Sequence, residues 1–303
     1  MFRDYVEREA GGRIDGGGAI EAWGRRFRAG AYAIGIHPAQ AAEEAERALH
    51  GKSTRRLVDG LRGRALIVGV DRLDYSKGLP HRFRAYERLL DEQPGLRGHV
   101  TFMQIAPPTR ERVPEYLELR RELERSSGAI NGRYGDVDWT PLRYLGRAVP
   151  RATLMGYCRA ARVGVVTPLR DGMNLVAKEY VAAQDPNDPG VLVLSRFAGA
   201  AHELVDALLV HPFDVGDLAA ALGRALAMPL DQRRARWRAM YATLTRNDID
   251  AWRAAFVGDL LAAARARQLR AEPLDAAWRE PPQLPRRCSR ISRSCGAARC
   301  SQR

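Results

Sequence analysis

Residues 167–180 read TPLRDGMNLVAKEY, directly after the apolar run VGVV at 163–166. The run predicts a buried strand. Pro168, Asp171 and Gly172 predict a tight loop, and Asn174, a preferred N-cap residue, predicts a helix starting there. A strand feeding a helix through a short loop leaves the first helical amides unpaired. The positive end of the helix dipole faces outward, so an anion is favoured at that point. Asp171 at the loop tip can accept hydrogen bonds from hydroxyls. Glu179 lies about one and a half turns into the helix. This combination suits a sugar nucleotide, with its diphosphate on the amides and its hydroxyls on the carboxylates.

Working outward, the same alternation recurs on both sides. Strands are predicted at 65–70 (ALIVGV), 100–105 (VTFMQI), 142–145, 163–166, 190–194 (GVLVL) and 207–210 (ALLV). Helical periodicity is predicted at 79–90, from Arg110 to about 126, at 151–160, from 174 to about 183, and in three segments between 215 and 267. Short apolar strands alternating with helices predict an α/β fold. Its parallel sheet is Rossmann-like and covered by helices on both faces. Ligands of such sheets bind beyond the carboxyl ends of the strands. The loops that matter are therefore those after Val70, Ile105, Thr167 and Leu194. Residues 1–30 are polar and glycine-rich, 31–36 (AYAIGI) read as a short strand, and 38–61 read as helical. The tail has lost all apolar periodicity. Residues 271–303 hold seven arginines against three acids, with Pro281-Pro282 and Ser-Arg repeats, and are expected to be disordered.

The chain has 303 residues, is 46% hydrophobic and carries a net charge of +13. Only Lys52, Lys77 and Lys178 are lysines; the other 46 basic residues are arginines with acids interleaved. That pattern reads as a compositional bias and a solvated surface, so no nucleic-acid partner is expected. No apolar run reaches membrane length and no signal-peptide pattern opens the chain, so no membrane partner is expected and the cytoplasm is the expected compartment. Cys158 reads as a small core residue, and Cys288, Cys295 and Cys300 match no zinc spacing. Asp71 and Asp74 lack a matching ligand cluster, so no metal and no cofactor are expected.

The loop after 65–70 reads VDRLDYSKG, placing Arg72 and Lys77 just past a strand end and before a helix. Two readings stand side by side: cations in a solvated loop, or a clamp on phosphate oxygens. In the next loop Arg110 is read as opening a helix, where a cation opposes the dipole and either projects into solvent or meets an anion. In SRFAGAAHEL (195–204) the small residues allow close backbone approach, and Glu203 is read as buried or as a hydroxyl ligand. His202 reads as an exposed or satisfied histidine. No nucleophile elbow, zincin, Walker A or dinucleotide fingerprint is present. A cationic clamp, an anion-ready helix end and carboxylates for hydroxyls suit transfer of a sugar from a nucleotide diphosphate. The two cations would stabilise charge growing on the leaving group.

The strings VDRLDYSKGL (70–79), QIAPPTR (104–110), INGRYG (130–135), TPLRDGMNLVAKEYVAAQ (167–184) and SRFAGAAHEL (195–204) together closely resemble the trehalose-6-phosphate synthase family. The resemblance covers about residues 2–265. It implies the C-terminal, donor-binding lobe of a GT-B retaining glycosyltransferase that moves glucose from UDP-glucose, or GDP-glucose, to glucose 6-phosphate. Carried over by motif, Arg72 and Lys77 are implied to hold the donor diphosphate as the catalytic pair. Asp171, Gly172, Met173 and Asn174 are implied to contact the donor glucose, Leu175 and Val176 the diphosphate, and Glu179 the ribose. Ile105 and Val149 fall where the family holds uracil, and Arg110 where it reaches the phosphate of glucose 6-phosphate. The expected organisation is a remnant of an N-terminal lobe at 1–40, the nucleotide-sugar domain at 41–268 and the tail at 269–303. On that reading most of the acceptor site lies outside the chain, which alone is expected to bind donor with little or no turnover. The alternatives are a UDP-sugar-binding fragment and a related transferase such as glucosylglycerol-phosphate synthase. Oligomeric state is left open.

Overall fold

The computed structural model describes residues 2–110 and 113–269. These divide into two units, one of residues 2–31 and 260–269 and one of residues 32–259. In the first, α1 (Phe2–Arg8) precedes three short antiparallel strands, β1 (Arg13–Ile14), β2 (Ile20–Ala22) and β3 (Arg25–Phe27). Its small core is Val6, Ile20 and Ala22. Gly12 makes that packing feasible, because a Cβ there would lie 2.5 Å from Val6 Cγ1. The sequence of this region announces none of these elements. Strands of two or three residues are too short to show a period of two.

The second unit begins with an extended segment, followed by α2 (Pro38–Leu49), α3 (Lys52–Leu61), β4 (Ala65–Val70) and α4 (Leu79–Glu92). Next come β5 (Val100–Ile105), α5 (Pro114–Tyr134), β6 (Leu142–Leu145), α6 (Arg151–Ala160), β7 (Val163–Val166) and α7 (Leu175–Ala183). The order closes with β8 (Val191–Ser195), β9 (Leu208–Val210), α8 (Val215–Ala227), α9 (Leu230–Arg246) and α10 (Ile249–Leu269), of which residues 249–259 belong to this unit. Strands β4 to β9 form one parallel sheet in the order β6-β5-β4-β7-β8-β9. The chain leaves β4 in one direction to β5 and β6, then returns to β7 on the other side of β4. The crevice beyond β4 and β7 is therefore the topological switch point, where open α/β sheets bind ligands.

Strand residues alternate between two cores. Leu66, Val68, Met103, Leu192 and Leu194 pack into one, and Ile67, Phe102, Val191 and Val193 into the other. Helices α2, α3, α6, α7 and α9 contribute to the first core, and α4, α5 and α8 to the second. Both faces are thus apolar, which explains continuous apolar runs in place of an apolar–polar alternation. Each fully buried aliphatic side chain contributes about 1.5–3 kcal/mol of transfer free energy. Cys158 is buried in the first core, and burial pushes its thiol up to about 12.

Two local expectations need correction. Residues 31–36 form no strand and no other regular element, and their carbonyls bond outside any ladder. Ile36 O accepts from Ile249 N at 3.0 Å and Ile34 O from Lys178 Nζ at 2.8 Å. Gly35 lies so close to the backbone of Asn247 and Asp248 that a Cβ would sit 2.3 Å from Asp248 C. Arg110 does not open a helix, because α5 starts at Pro114. Proline suits a first helical turn and pushes the residue before it into extended conformation, as Val113 shows with φ −95° and ψ 119°. The expectation of a disordered tail falls on residues outside those described, apart from Leu269 at the end of α10.

Candidate functional site

The loops after β4, β5, β7 and β8 meet at the carboxyl edge of the sheet. In the first, Asp74 caps a short 3-10 turn by accepting from Ser76 N at 2.9 Å and Ser76 Oγ at 2.8 Å. Burial raises the Asp74 carboxyl, but these donors, Tyr116 and Lys77 outweigh it and hold the group below the usual carboxylate range. Gly78 then turns the chain at φ +66°, close enough to Thr167 O that a Cβ would lie 2.6 Å away. Leu169 N donates to Ser76 O at 2.7 Å. The loops after β4 and β7 are therefore laced together through their backbones.

This lacing brings Lys77 and Asp171, 94 residues apart, into a 2.6 Å ion pair that is only partly open to solvent. Asp171 also accepts from Met173 N at 3.4 Å and Asn174 Nδ2 at 3.1 Å. Burial works against its charge. The Lys77 ammonium and the other donors prevail and hold the carboxyl below its ordinary value. Arg72, in the same loop as Lys77, is exposed and has no ion pair among the described residues.

Asn174 is the N-cap of α7, as its position after the loop implied; its side chain accepts from Ala177 N at 3.3 Å. Its backbone sits at φ +79°, which Asn tolerates better than most residues. The amides of Leu175 and Val176 make no hydrogen bond among the described residues, which leaves two donors at the positive end of the helix. Gly172 and Met173 are pinned by the loop after β8. Ala200 N donates to Met173 O at 2.8 Å, and a Cβ on Gly199 would lie 2.0 Å from Gly172 O. The close approach allowed by the small residues of 198–201 is thus an approach to the Asp171 loop itself.

One turn along α7, Glu179 accepts from Arg151 Nη1, whose Nε also reaches Glu44 Oε2 at 3.3 Å. The bond to Glu179 raises the Arg151 guanidinium above its usual value. Lys178 points the other way. It is fully buried, pairs with Glu203 and bonds Ile34 O. Glu203 is therefore a partner of Lys178 and of Asn247 Nδ2 at 3.0 Å, and His202 is exposed.

Ile105 is buried at the end of β5, and both lone pairs of its carbonyl are engaged, by Asp71 N at 3.1 Å and Gln104 Nε2 at 3.1 Å. Val149 is half-buried against the first core in the loop that leads into α6. Arg110 is exposed at φ +54°. Its Nη1 donates to Tyr116 Oη at 3.2 Å, and its guanidinium lies 5.7 Å from the Tyr116 ring centroid. Tyr116 Oη in turn donates to Asp74 Oδ2 at 3.4 Å, and Thr109 Oγ1 to Leu73 O at 2.7 Å. Tyr116, Arg151 and Arg82 are the residues that sequence reasoning missed. Each lies on a helix whose own pattern shows only amphipathicity. Among the described residues no three His, Cys, Asp or Glu group as metal ligands, and no helix is long and apolar enough to cross a membrane.

The model of glycosyltransferase family 20 matches residues 8–262. A trehalose-6-phosphate synthase of Sinorhizobium fredii is 50% identical over 263 residues, which is 87% of this chain and 57% of that protein. A Burkholderia xenovorans α,α-trehalose-phosphate synthase (UDP-forming), solved with glucose-6-phosphate, aligns with a TM-score of 0.84 at 53% identity, over 86% of this chain and 57% of that one. An E. coli structure described as bound with UDP-2-fluoro glucose aligns with a TM-score of 0.81 at 47% identity, over 86% of this chain and 57% of that one. The chain thus spans little more than half the length of the relatives it matches. With the parallel α/β sheet, the laced loops and the family model in agreement over most of its length, the chain belongs to glycosyltransferase family 20.

Proposed function

We propose that this chain holds the sugar nucleotide UDP-glucose, and that the protein it represents transfers glucose to glucose 6-phosphate with retention, giving trehalose 6-phosphate and UDP. The observation that carries the reading is the Lys77–Asp171 pair set across the β4/β7 crevice beside the open amides of Leu175 and Val176. It sets a cation for diphosphate next to a carboxylate for sugar hydroxyls at an anion-favouring helix end. On binding, Lys77 turns from Asp171 to the diphosphate, Arg72 joins it, and Asp171 is released to the glucose. As the glucosyl C1–O bond breaks, the electron pair goes to the departing phosphate oxygen. Arg72, Lys77 and the α7 amides stabilise that charge, so the reading needs no metal. The acceptor hydroxyl forms its new bond to C1 on the face the diphosphate leaves, and its proton passes to the departing phosphate oxygen. Gly172, Met173 and Asn174 line the glucose side, Glu179 takes the ribose in exchange for Arg151, and Ile105 and Val149 flank the base. Arg110 reaches the acceptor phosphate. A cytoplasmic setting, where nucleotide sugars and hexose phosphates occur together, belongs to the same proposal.

Calorimetric titration of UDP into wild type, Arg72→Ala and Lys77→Ala tests the clamp. Binding should weaken by about tenfold or more in each variant, and equal binding in all three would remove the assignment. A second reading, donor binding without turnover, rests on the site itself, where Arg110 is the one assigned residue read toward the acceptor and the others are read toward the donor. UDP release in the presence of glucose 6-phosphate should then stay near background. Robust release would assign turnover to this chain itself.

A further inference from the structure

Beneath the clamp lies a group that the reaction outlined above does not use. Arg82, on the first turn of α4, is completely buried, in a chain whose arginines are mostly at the surface. All three of its nitrogens are engaged, each toward a different part of the site. Nη1 donates to Asp71 Oδ2 at 2.5 Å and to Gln104 Oε1 at 3.1 Å. Nε donates to Thr167 Oγ1 at 2.8 Å, and Nη2 to the carbonyl of Lys77 at 3.1 Å. Asp71, Gln104 and Thr167 sit at the carboxyl ends of β4, β5 and β7, the three central strands on either side of the switch point. One planar guanidinium therefore fixes three strand ends and the backbone of the clamp lysine at once. Gly69 leaves room for it, since a Cβ there would lie 2.4 Å from Gln104 Oε1 and 3.2 Å from Arg82 Nη1.

Resting on the donor-clamp reading, we infer that Arg82 is a positioning residue for the diphosphate: it sets where Lys77 stands relative to the Asp171 loop. The chemistry of the side chain supports this beyond neutralising Asp71. A lysine could neutralise a buried carboxylate, but an ammonium cannot place donors in three fixed in-plane directions, as the guanidinium fork does. The bond to Thr167 Oγ1 acts at the residue from which the Asp171 loop departs, and the bond to Lys77 O acts on the clamp loop. Arg82 therefore joins the two walls that must close on one diphosphate. It touches no substrate atom in this scheme and acts only through Lys77 and Thr167.

The test uses two variants and two ligands. Arg82→Lys keeps the charge opposite Asp71 but loses the fork. Thr167→Val removes a single acceptor and keeps the shape. UDP and UMP share uracil, ribose and the first phosphate, so the ratio of their affinities isolates the clamp on the second phosphate. In wild type UDP should bind more tightly than UMP. In Arg82→Lys the UDP/UMP ratio should fall by about tenfold, and in Thr167→Val by about threefold, with UMP affinity held within about twofold in both. If both variants fold and keep the wild-type ratio, or lose UDP and UMP affinity in equal proportion, Arg82 is only structural and the inference is overturned. If Arg82→Lys does not fold, Thr167→Val alone decides by the same ratio. If wild type itself shows no preference for UDP, the clamp reading fails first and takes this inference with it.

Discussion

Two ion pairs lie at the β4/β7 strand ends, and they contrast in almost every physical respect. Asp71–Arg82 is sealed from water and embedded in four side-chain hydrogen bonds from Arg82. Lys77–Asp171 stands at the mouth, partly solvated, with Asp171 held by two further donors. A sealed pair that loses one partner leaves a bare charge in a low dielectric, whereas a pair at the mouth can trade its partner for a ligand or for water. An aspartate paired with a cation therefore makes a fixed support in one place, with Arg82, and an exchangeable contact in the other, with Lys77. Position decides which, because desolvation is complete only for the inner pair.

The largest effect should follow from breaking the inner pair. Arg82→Met strands Asp71 and should cost about 3–5 kcal/mol of stability, read from the midpoint of denaturant unfolding. A loss under about 1 kcal/mol would show that water reaches the site. Next comes Asn174, which caps α7 between the two loops. Asn174→Ala removes the acceptor for Ala177 N and puts a less tolerant residue at φ +79°. It should cost about 1–2 kcal/mol and weaken UDP, whereas no change in either would separate the cap from the site. The smallest effect is expected at Arg110, which is exposed and rests on Tyr116. Arg110→Ala should cost less than about 1 kcal/mol and leave UDP affinity unchanged. A clear loss of UDP binding would move Arg110 from the acceptor side to the donor side.

The residues of the outer pair, though not their pairing across 94 positions, were easier to read from sequence than Arg82. Lys77 and Asp171 are each followed by glycine, in loops bounded by apolar runs, so both announced loop chemistry at strand ends. Asn174 announced the helix start for the same reason: its side chain acts on the backbone only a few residues away. The parallel sheet was legible because the central strands are buried on both faces and read as mainly apolar runs, with Thr101 and Gln104 of β5 as buried polar exceptions. Arg82 gave a quieter signal: it lies three residues after Leu79 and four before Tyr86, on the buried face of α4, whereas Arg84 and Arg88 lie on the exposed face. In a chain so rich in arginine, that one inward position is easily passed over. Tyr116 and Arg151 were hidden because their partners, Asp74 and Glu179, are distant in sequence. The segment 31–36 has strand-like composition, but its neighbours are Lys178 and the start of α10 rather than a strand. Composition reports burial and cannot report what does the burying. The start of α5 lies at Pro114, whose ring sets the boundary, although the charged residues after Arg110 continue a helix-like composition upstream of it.

The contrast between the two pairs makes one demand on the outer one: Lys77 must be the group that diphosphate recruits, and Asp171 the group it displaces. UDP carries no glucose for Asp171 to hold, so the two residues should act on UDP in opposite directions. The measurement is calorimetric titration of UDP into Lys77→Ala and Asp171→Asn, side by side with wild type. Affinity should fall by about tenfold or more in Lys77→Ala and stay equal or rise in Asp171→Asn, where the ammonium no longer has a carboxylate to leave. Equal losses in both variants would contradict the exchange and mean that the pair binds diphosphate as a unit.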